Sequence, residues 1–125
     1  MKINLAFLTG ARSEYGVARP LLRKLDSDPN FNLLIFPNGM HLQKEFGYTL
    51  DEIKKDGLTI TETINTYNSI KEKSYQFSNS VKCIYDVLKK YSIDIVYIIG
   101  DRIEAFSYLC TAAITKGKIK VDKIN

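Results

Sequence analysis

The stretch KINLAFLTG at residues 2–10 decides the fold class. It is nearly continuous in apolar residues up to Leu8 and then reaches Gly10, a pattern typical of a short strand buried on both faces. It is too short for the hydrophobic region of a secretion signal. Two later runs, 31–36 and 93–99, repeat the pattern and end at turn residues. Strands without a solvent-facing side predict a parallel sheet covered by helices.

Helical spacing fills the intervals between these runs. From Glu14 to about Ser27, one apolar face is predicted to carry Val17, Ala18, Leu21, Leu22 and Leu25. Because a proline inside a helix removes a hydrogen bond and clashes one turn back, Pro20 predicts that this helix begins late or bends.

Three further helices complete the alternation. Thr49 and Glu52 have the spacing of a capping box, which predicts a short helix ending at Asp56-Gly57. The apolar run at 58–60 that follows predicts a further short strand of the sheet. Regular apolar spacing predicts a longer helix over 68–91, and another is predicted from Arg102 to about Ile114. The predicted fold class is therefore α/β, with a parallel Rossmann-like sheet and helices on both faces.

Composition and charge indicate one ordinary globular domain. The chain has 125 residues, of which 45% are hydrophobic and 26% charged. Most of the net charge of +4 lies in 116–125, which predicts a domain over 1–115 and a lysine-rich divergent tail over 116–125. That tail has no aromatic residue among its lysines, so we predict no nucleic-acid partner.

No apolar stretch is long enough to cross a bilayer, so no membrane association is predicted. Cys83 and Cys110 lie in apolar segments without metal-ligand spacing, which favours buried thiols in a reducing cytoplasm over a metal site or a disulfide. Neither a metal ion nor a cofactor is predicted.

The polar residues of interest follow predicted strands, at the edge where parallel strands bind ligands. Arg12 offers a planar fork for phosphate oxygens beside a helix start, although it equally fits a surface arginine. The only histidine, His41, suits either sugar binding and proton transfer or a structural role in its loop. Asp101 suits a general base at a cleft, and with Glu104 three residues on it also fits a helix cap.

Taken in order, LTGARSEYG (8–16), GMHLQKEFGYT (39–49) and IGDRIE (99–104) resemble hydrolysing UDP-N-acetylglucosamine 2-epimerases. The stretch EIKKDG at 52–57 fits the same family, and the resemblance spans roughly residues 3–114. The form of the second and third motifs is closest to the branch that feeds sialic-acid and related nonulosonic-acid synthesis.

The resemblance implies the N-terminal half of a two-domain glycosyltransferase-B-type fold that holds a UDP-sugar between its domains. The implied reaction converts UDP-N-acetylglucosamine and water to N-acetylmannosamine and UDP, through proton removal at C2 and elimination of UDP to a glycal. By resemblance, Asp101 is the catalytic carboxylate and Arg12 lies near the diphosphate. The other residues implied in substrate binding are Glu14, Tyr15, Gly16, His41, Arg102 and Glu104.

Two departures qualify the resemblance. Pro37-Asn38 stands where the family usually has valine and threonine. After Ile114 the family continues into another buried strand and a segment with a further catalytic acid, whereas 116–125 is lysine-rich. We therefore expect this polypeptide alone to have little or no epimerase activity, and a homo-oligomer or a missing C-terminal domain to be its protein partner.

Two other functions remain open at this point. One is a non-catalytic nucleotide- or phosphate-binding α/β module or subunit. The other is a receiver-like signalling domain, which needs an acidic pair after the first strand where this chain has Ala11-Arg12.

Overall fold

The computed structural model describes residues 1–10, 12–38, 50–64, 73–100 and 118–123. Its elements, in chain order, are β1 (Ile3–Thr9), α1 (Arg12–Ser27), β2 (Phe31–Pro37), α2 (Leu50–Lys55), α3 (Lys73–Lys90), β3 (Ile95–Gly100) and β4 (Lys118–Lys123). The predicted α/β class is confirmed. Within these ranges, no helix is both long and apolar enough to span a membrane.

The four strands form one parallel sheet in the order β2-β1-β3-β4. β1 lies between β2 and β3, with Leu5 opposite Leu33 on one side and Ile95 on the other. Outside β2, Ile60 and Ile64 make two isolated parallel bridges to Ile35 and Asn38. The strand predicted at 58–60 is therefore wrong, because the described segment after α2 pairs with the edge of the sheet only at these two bridges.

Both faces of the sheet are buried, as the apolar strands predicted. Successive side chains of a strand point to opposite faces, so the sheet supports two cores. The α1 core combines α1 and α2 with one face and contains Leu5, Phe7, Tyr15, Ala18, Leu22, Ile35, Ile53, Leu58, Tyr97 and Ile99. The α3 core combines α3 with the other face and contains Ala6, Leu8, Phe36, Ile64, Ile84, Val87, Leu88, Val96 and Ile98.

α1 differs from the prediction in where it begins and in which residues it buries. It starts at Arg12 and continues through Pro20, so the predicted late start is wrong. The helical carbonyl that loses its hydrogen-bond donor to Pro20 belongs to Gly16, which is exposed, so water can satisfy it. Ala18 and Leu22 are buried as predicted, but Val17 and Leu21 are 60% and 40% exposed. The buried face lies on the Tyr15 side of the predicted stripe.

The other described elements agree with their sequence signals. α2 ends at the predicted Asp56-Gly57 turn, where Gly57 adopts a φ of 78° and its amide donates to the Lys54 carbonyl at 3.0 Å. α3 lies within the segment predicted for it, and β3 overlaps the predicted run at 93–99 and ends one residue later, at Gly100. The helix predicted from Arg102 to Ile114 lies outside the described residues.

β4 was not predicted. Its sequence alternates lysine with Ile119 and Val121, and we interpreted 116–125 as a solvated tail. Its backbone instead pairs in parallel with β3, with Ile95 opposite Lys118 and Gly100 opposite Lys123. Backbone pairing to a neighbouring strand places a segment in a sheet even when its composition is polar, because the ladder uses only main-chain groups. The division of the chain at 115/116 itself remains a prediction.

Candidate functional site

The topology defines a crevice between the ends of β1 and β3. From β1 the chain goes first to β2 on one side and later returns to β3 on the other side. Such a reversal of strand order opens a gap at the carboxyl ends of the strands, where doubly wound α/β proteins bind ligands. Thr9 and Gly100, the last residues of β1 and β3, lie at that edge. Two of the three loops singled out in the sequence leave from these two strand ends.

The turn from β1 into α1 is held by Glu14. Its carboxylate Oε2 accepts a hydrogen bond from the Gly10 amide at 2.7 Å. Glu14 is 5% exposed and stands in the first turn of α1, where the helix dipole favours a negative charge. On the other side of the turn, the backbone N–H of Asn38 donates to the backbone carbonyl of Thr9 at 2.8 Å, which joins the ends of β1 and β2. The backbone beside the crevice is therefore fixed by both a side chain and a neighbouring strand.

Tyr15 belongs to the α1 core. Its residue exposure is 1%, and its hydroxyl donates to Asp56 Oδ2 at the end of α2. The Arg19 guanidinium lies over the Tyr15 ring, 5.3 Å from the centroid. Burial, followed by the bond to Asp56, raises the pKa of the Tyr15 hydroxyl to about 12. Tyr15 is thus a neutral, anchored residue that joins α1 to the end of α2.

Asp56 pairs with two arginines as well as accepting the hydrogen bond from Tyr15. Arg19 Nε lies 2.9 Å from Oδ2, and Arg23 Nη2 donates to Oδ1 at 3.2 Å. The Tyr15 hydrogen bond, followed by these two guanidinium groups, outweighs burial and lowers the pKa of the Asp56 carboxyl. Asp56 therefore carries its negative charge at neutral pH and closes a four-residue cluster of Tyr15, Arg19, Arg23 and Asp56, which we call the α1–α2 cluster.

Arg12 and Gly16 both lie in the first two turns of α1. Gly16 is exposed, and a Cβ added there would meet no atom within 4 Å. The described surroundings thus leave open space at Gly16. Arg12 is the first residue of α1, next to the crevice, and the structure describes its backbone but not its side chain.

The remaining predicted site residues lie outside the described residues. They are His41, Asp101, Arg102 and Glu104. Asp101 is bonded to Gly100, so the chain enters it from the end of β3 at the crevice edge. Of the predicted set, the structure thus brings Arg12 and Glu14 to the end of β1, beside the strand that leads into Asp101. The roles of all eight residues remain predictions.

Among the described side chains, no group of three or more histidine, cysteine or acidic residues has the arrangement of a metal site. Sequence reasoning singled out Asp56 only as a turn residue within the 52–57 stretch. Its contact with Tyr15 joins residues 41 positions apart, so no local spacing signals it.

Comparison with known proteins identifies the family. The family sequence model described as UDP-N-acetylglucosamine 2-epimerase matches residues 23–121, and so ends within β4 at Val121. The chain is 27% identical over 113 residues to the polysialic acid biosynthesis protein P7 of Escherichia coli, covering 88% of this chain and 29% of that protein. It is 30% identical over 103 residues to the hydrolyzing UDP-N,N'-diacetylbacillosamine 2-epimerase of Legionella pneumophila, covering 78% and 27%. The chain thus spans less than a third of either relative.

Solved structures support the same fold. UDP-GlcNAc 2-epimerase of Neisseria meningitidis bound to UDP-GlcNAc superposes with a TM-score of 0.76 at 19% identity, covering 97% of this chain and 32% of that one. The Methanocaldococcus jannaschii enzyme gives 0.77 at 18% identity, covering 95% and 31%. A glycosyltransferase from Rickettsia africae gives 0.67 at 20%, covering 96% and 29%. These neighbours confirm the predicted N-terminal Rossmann-like half of a glycosyltransferase-B-type fold. With this fold, and with most of its length matched by the family's sequence model, the chain belongs to the UDP-N-acetylglucosamine 2-epimerase family.

Proposed function

We propose that this chain is the N-terminal part of a hydrolysing UDP-N-acetylglucosamine 2-epimerase, which converts UDP-N-acetylglucosamine and water to N-acetylmannosamine and UDP. The observation that carries the proposal is the crevice at the ends of β1 and β3, with Arg12 starting α1 on one side and Gly100 leading into Asp101 on the other. The Legionella and Campylobacter jejuni relatives are both named hydrolyzing epimerases, which supports the hydrolysing branch.

The crevice suits a nucleotide diphosphate for electrostatic reasons. The start of a 16-residue helix carries a partial positive charge, and an arginine at its first position adds a full one. Solved relatives were crystallised with UDP-GlcNAc or UDP, which supports a UDP-sugar as the ligand. We assign the diphosphate to the Arg12 side of the crevice.

On the other side of the crevice we propose that Asp101 transfers the proton at C2 of the sugar. Proton transfer needs a carboxylate close to the reacting proton, and a residue that directly follows a strand end at the ligand-binding edge of a parallel sheet has a suitable position in the chain. We propose that His41, Arg102 and Glu104 bind the sugar or diphosphate, and that Tyr15 and Gly16 belong to the same side of the site as Arg12. No metal ion or cofactor enters this chemistry.

We further propose a cytoplasmic protein in sialic-acid or related nonulosonic-acid synthesis, with neither a nucleic-acid nor a membrane partner. The name of the Escherichia coli relative, a polysialic acid biosynthesis protein, supports this pathway. The 125-residue polypeptide, assayed by itself, is proposed to bind the UDP-sugar with little or no turnover. Pairing with itself or with a C-terminal domain would supply the remaining contacts.

Calorimetric titration of the chain with UDP and with UDP-N-acetylglucosamine tests the binding part of this proposal. Arg12→Ala should weaken both ligands by about tenfold or more, because a charge-assisted bond to phosphate is lost. Arg23→Ala is the matched control on the same helix, since Arg23 pairs with Asp56 and is 58% exposed; it should leave both affinities unchanged. Equal affinity of the two variants would contradict the assignment of the diphosphate to Arg12.

Turnover is measured separately, as UDP released from UDP-N-acetylglucosamine. The expected result for the isolated chain is no release above background, and clear turnover would overturn the proposed inactivity. Equal binding of ADP or inorganic diphosphate would instead favour a general phosphate-binding module over an epimerase site.

A further inference from the structure

Glu14 is a buried carboxylate at the entrance of the proposed site, and it accepts a hydrogen bond from the backbone at the end of β1. Oε2 lies 2.7 Å from the Gly10 amide nitrogen, at the short end of the range for a charge-assisted hydrogen bond. Gly10 is the residue between β1 and the turn into α1, and it is buried. The bond therefore ties the first turn of α1 back to the strand that precedes it.

Three points argue against direct contact between Glu14 and a nucleotide sugar. Glu14 is only 5% exposed, which leaves almost no surface for a ligand. A carboxylate aimed at a diphosphate would also repel it, because two negative charges at close range disfavour each other. The Gly10 amide, for its part, already donates to Glu14 rather than toward a ligand.

The same bond has a direct consequence for Arg12. Gly10 and Glu14 bracket Arg12 in the chain, so a bond between them closes a short loop that contains it. Closing that loop limits the positions available to the first residue of α1. A phosphate-binding side chain held on a fixed backbone loses less conformational entropy when its ligand binds.

We propose that Glu14 is a positioning residue, whose bond to the Gly10 amide fixes the backbone from which Arg12 reaches the diphosphate. This inference rests on the proposed function for its effect on binding, but the Gly10 bond itself can be tested without any ligand. Glu14 acts through the turn and makes no contact with substrate.

Hydrogen exchange of the Gly10 amide, followed by NMR, tests the bond. In the unaltered chain this amide should be protected. Glu14→Gln retains a carbonyl oxygen that can accept the bond, so protection should persist. Glu14→Ala removes the acceptor, and exchange at Gly10 should accelerate by about tenfold or more. Asp51→Ala, which removes an exposed acid from the first turn of α2, is the control and should leave Gly10 unchanged.

UDP and UDP-N-acetylglucosamine titrations of the same variants test the positioning role. Glu14→Ala should weaken both ligands by the same factor, about tenfold, whereas Glu14→Gln should stay within about threefold of the unaltered chain. Adding Glu14→Ala to Arg12→Ala should cause no further loss, because one residue acts through the other.

The outcomes separate the two proposals. Selective loss of UDP-N-acetylglucosamine affinity in Glu14→Gln would show direct sugar contact and overturn the positioning role, as would additive losses in the double variant. Unprotected Gly10 in the unaltered chain would also overturn it. If Gly10 is protected as expected but the unaltered chain binds neither ligand, the proposed function fails and the positioning role falls with it, while the structural bond stands. Should Glu14→Ala not fold, Glu14→Gln and the unaltered chain still decide the result.

Discussion

Two clusters of the same chemistry lie on opposite faces of the sheet. In the α1–α2 cluster, Tyr15 donates to Asp56, which also pairs with arginines. On the α3 side, Tyr91 donates to Glu62 at 2.7 Å, and Lys90 pairs with the same oxygen at 3.1 Å; we call this the α3 cluster. In each cluster the tyrosine and its cation lie close together in the chain, and the carboxylate comes from another segment.

The two clusters differ in how deeply their side chains are buried. Tyr15 is 1% exposed, whereas Tyr91 is half-buried with its ring against Phe36. The carboxylate and its arginine partners are also less exposed in the α1–α2 cluster. The Asp56 side chain is 14% exposed, against 36% for Glu62. Because water screens exposed ion pairs, we expect the same kinds of interaction to stabilise the fold less in the α3 cluster. The more buried α1–α2 cluster is also the one beside the proposed site, because Tyr15 directly follows Glu14 in the chain.

The largest effect is expected from Tyr15→Ala. Removing a fully buried aromatic ring should lower the free energy of unfolding by about 3–5 kcal/mol. Tyr91→Ala, the matched change in the α3 cluster, should cost on the order of 1–2 kcal/mol, because that ring is partly exposed. Urea unfolding monitored by circular dichroism measures both. Equal losses would contradict burial as the distinguishing factor.

The next largest effect is expected at alkaline pH, where deprotonation of Tyr15 should lower the free energy of unfolding. Its pKa is raised to about 12 in the folded chain, above its ordinary value of 10.0. A raised pKa gives stability that is complete below pH 10 and lost as the pH rises toward 12. The loss attributable to Tyr15 is on the order of 2 kcal/mol. Unfolding of the unaltered chain and Tyr15→Phe, compared at successive pH values from 9 to 12, measures it. Parallel pH profiles for the two would refute the assignment.

The carboxylates should differ by a smaller margin. Asp56→Ala leaves the Tyr15 hydroxyl without its acceptor and should destabilise the chain by on the order of 1–2 kcal/mol. Glu62→Ala removes an acceptor whose donors are accessible to water, so its cost should stay below about 1 kcal/mol. Thermal unfolding of the two variants at neutral pH gives the comparison, and a larger loss for Glu62→Ala would reverse our ranking.

The sequence signals that succeeded are the ones carried by local pattern. Continuous apolar runs located β1, β2 and β3, because a strand buried on both faces is apolar at nearly every position and stands out in the sequence. Asp56-Gly57 marked the end of α2, since glycine adopts the positive φ that ends many helices.

What the sequence did not reveal depends on tertiary contacts. The Tyr15–Asp56 bond joins two helices that only the folded sheet brings together. β4 was missed because main-chain pairing with β3, and not its own composition, makes it a strand. The buried face of α1 was displaced from Val17 and Leu21, because the apolar stripe was wider than the surface that the sheet covers. The candidate site was predictable as a set of loops at one sheet edge, but the inward bond of Glu14 was not.

The most direct test of the site's location is an amide chemical-shift map of the isotopically labelled chain titrated with UDP-N-acetylglucosamine. Ligand at the carboxyl ends of β1 and β3 should shift the resonances of Gly10 and Gly100. It should leave unchanged those of Asn4 and Ser92, which are hydrogen-bonded to each other at the opposite edge of the sheet. Shifts centred on Asn4 and Ser92, or binding that leaves Gly10 and Gly100 unmoved, would contradict the account.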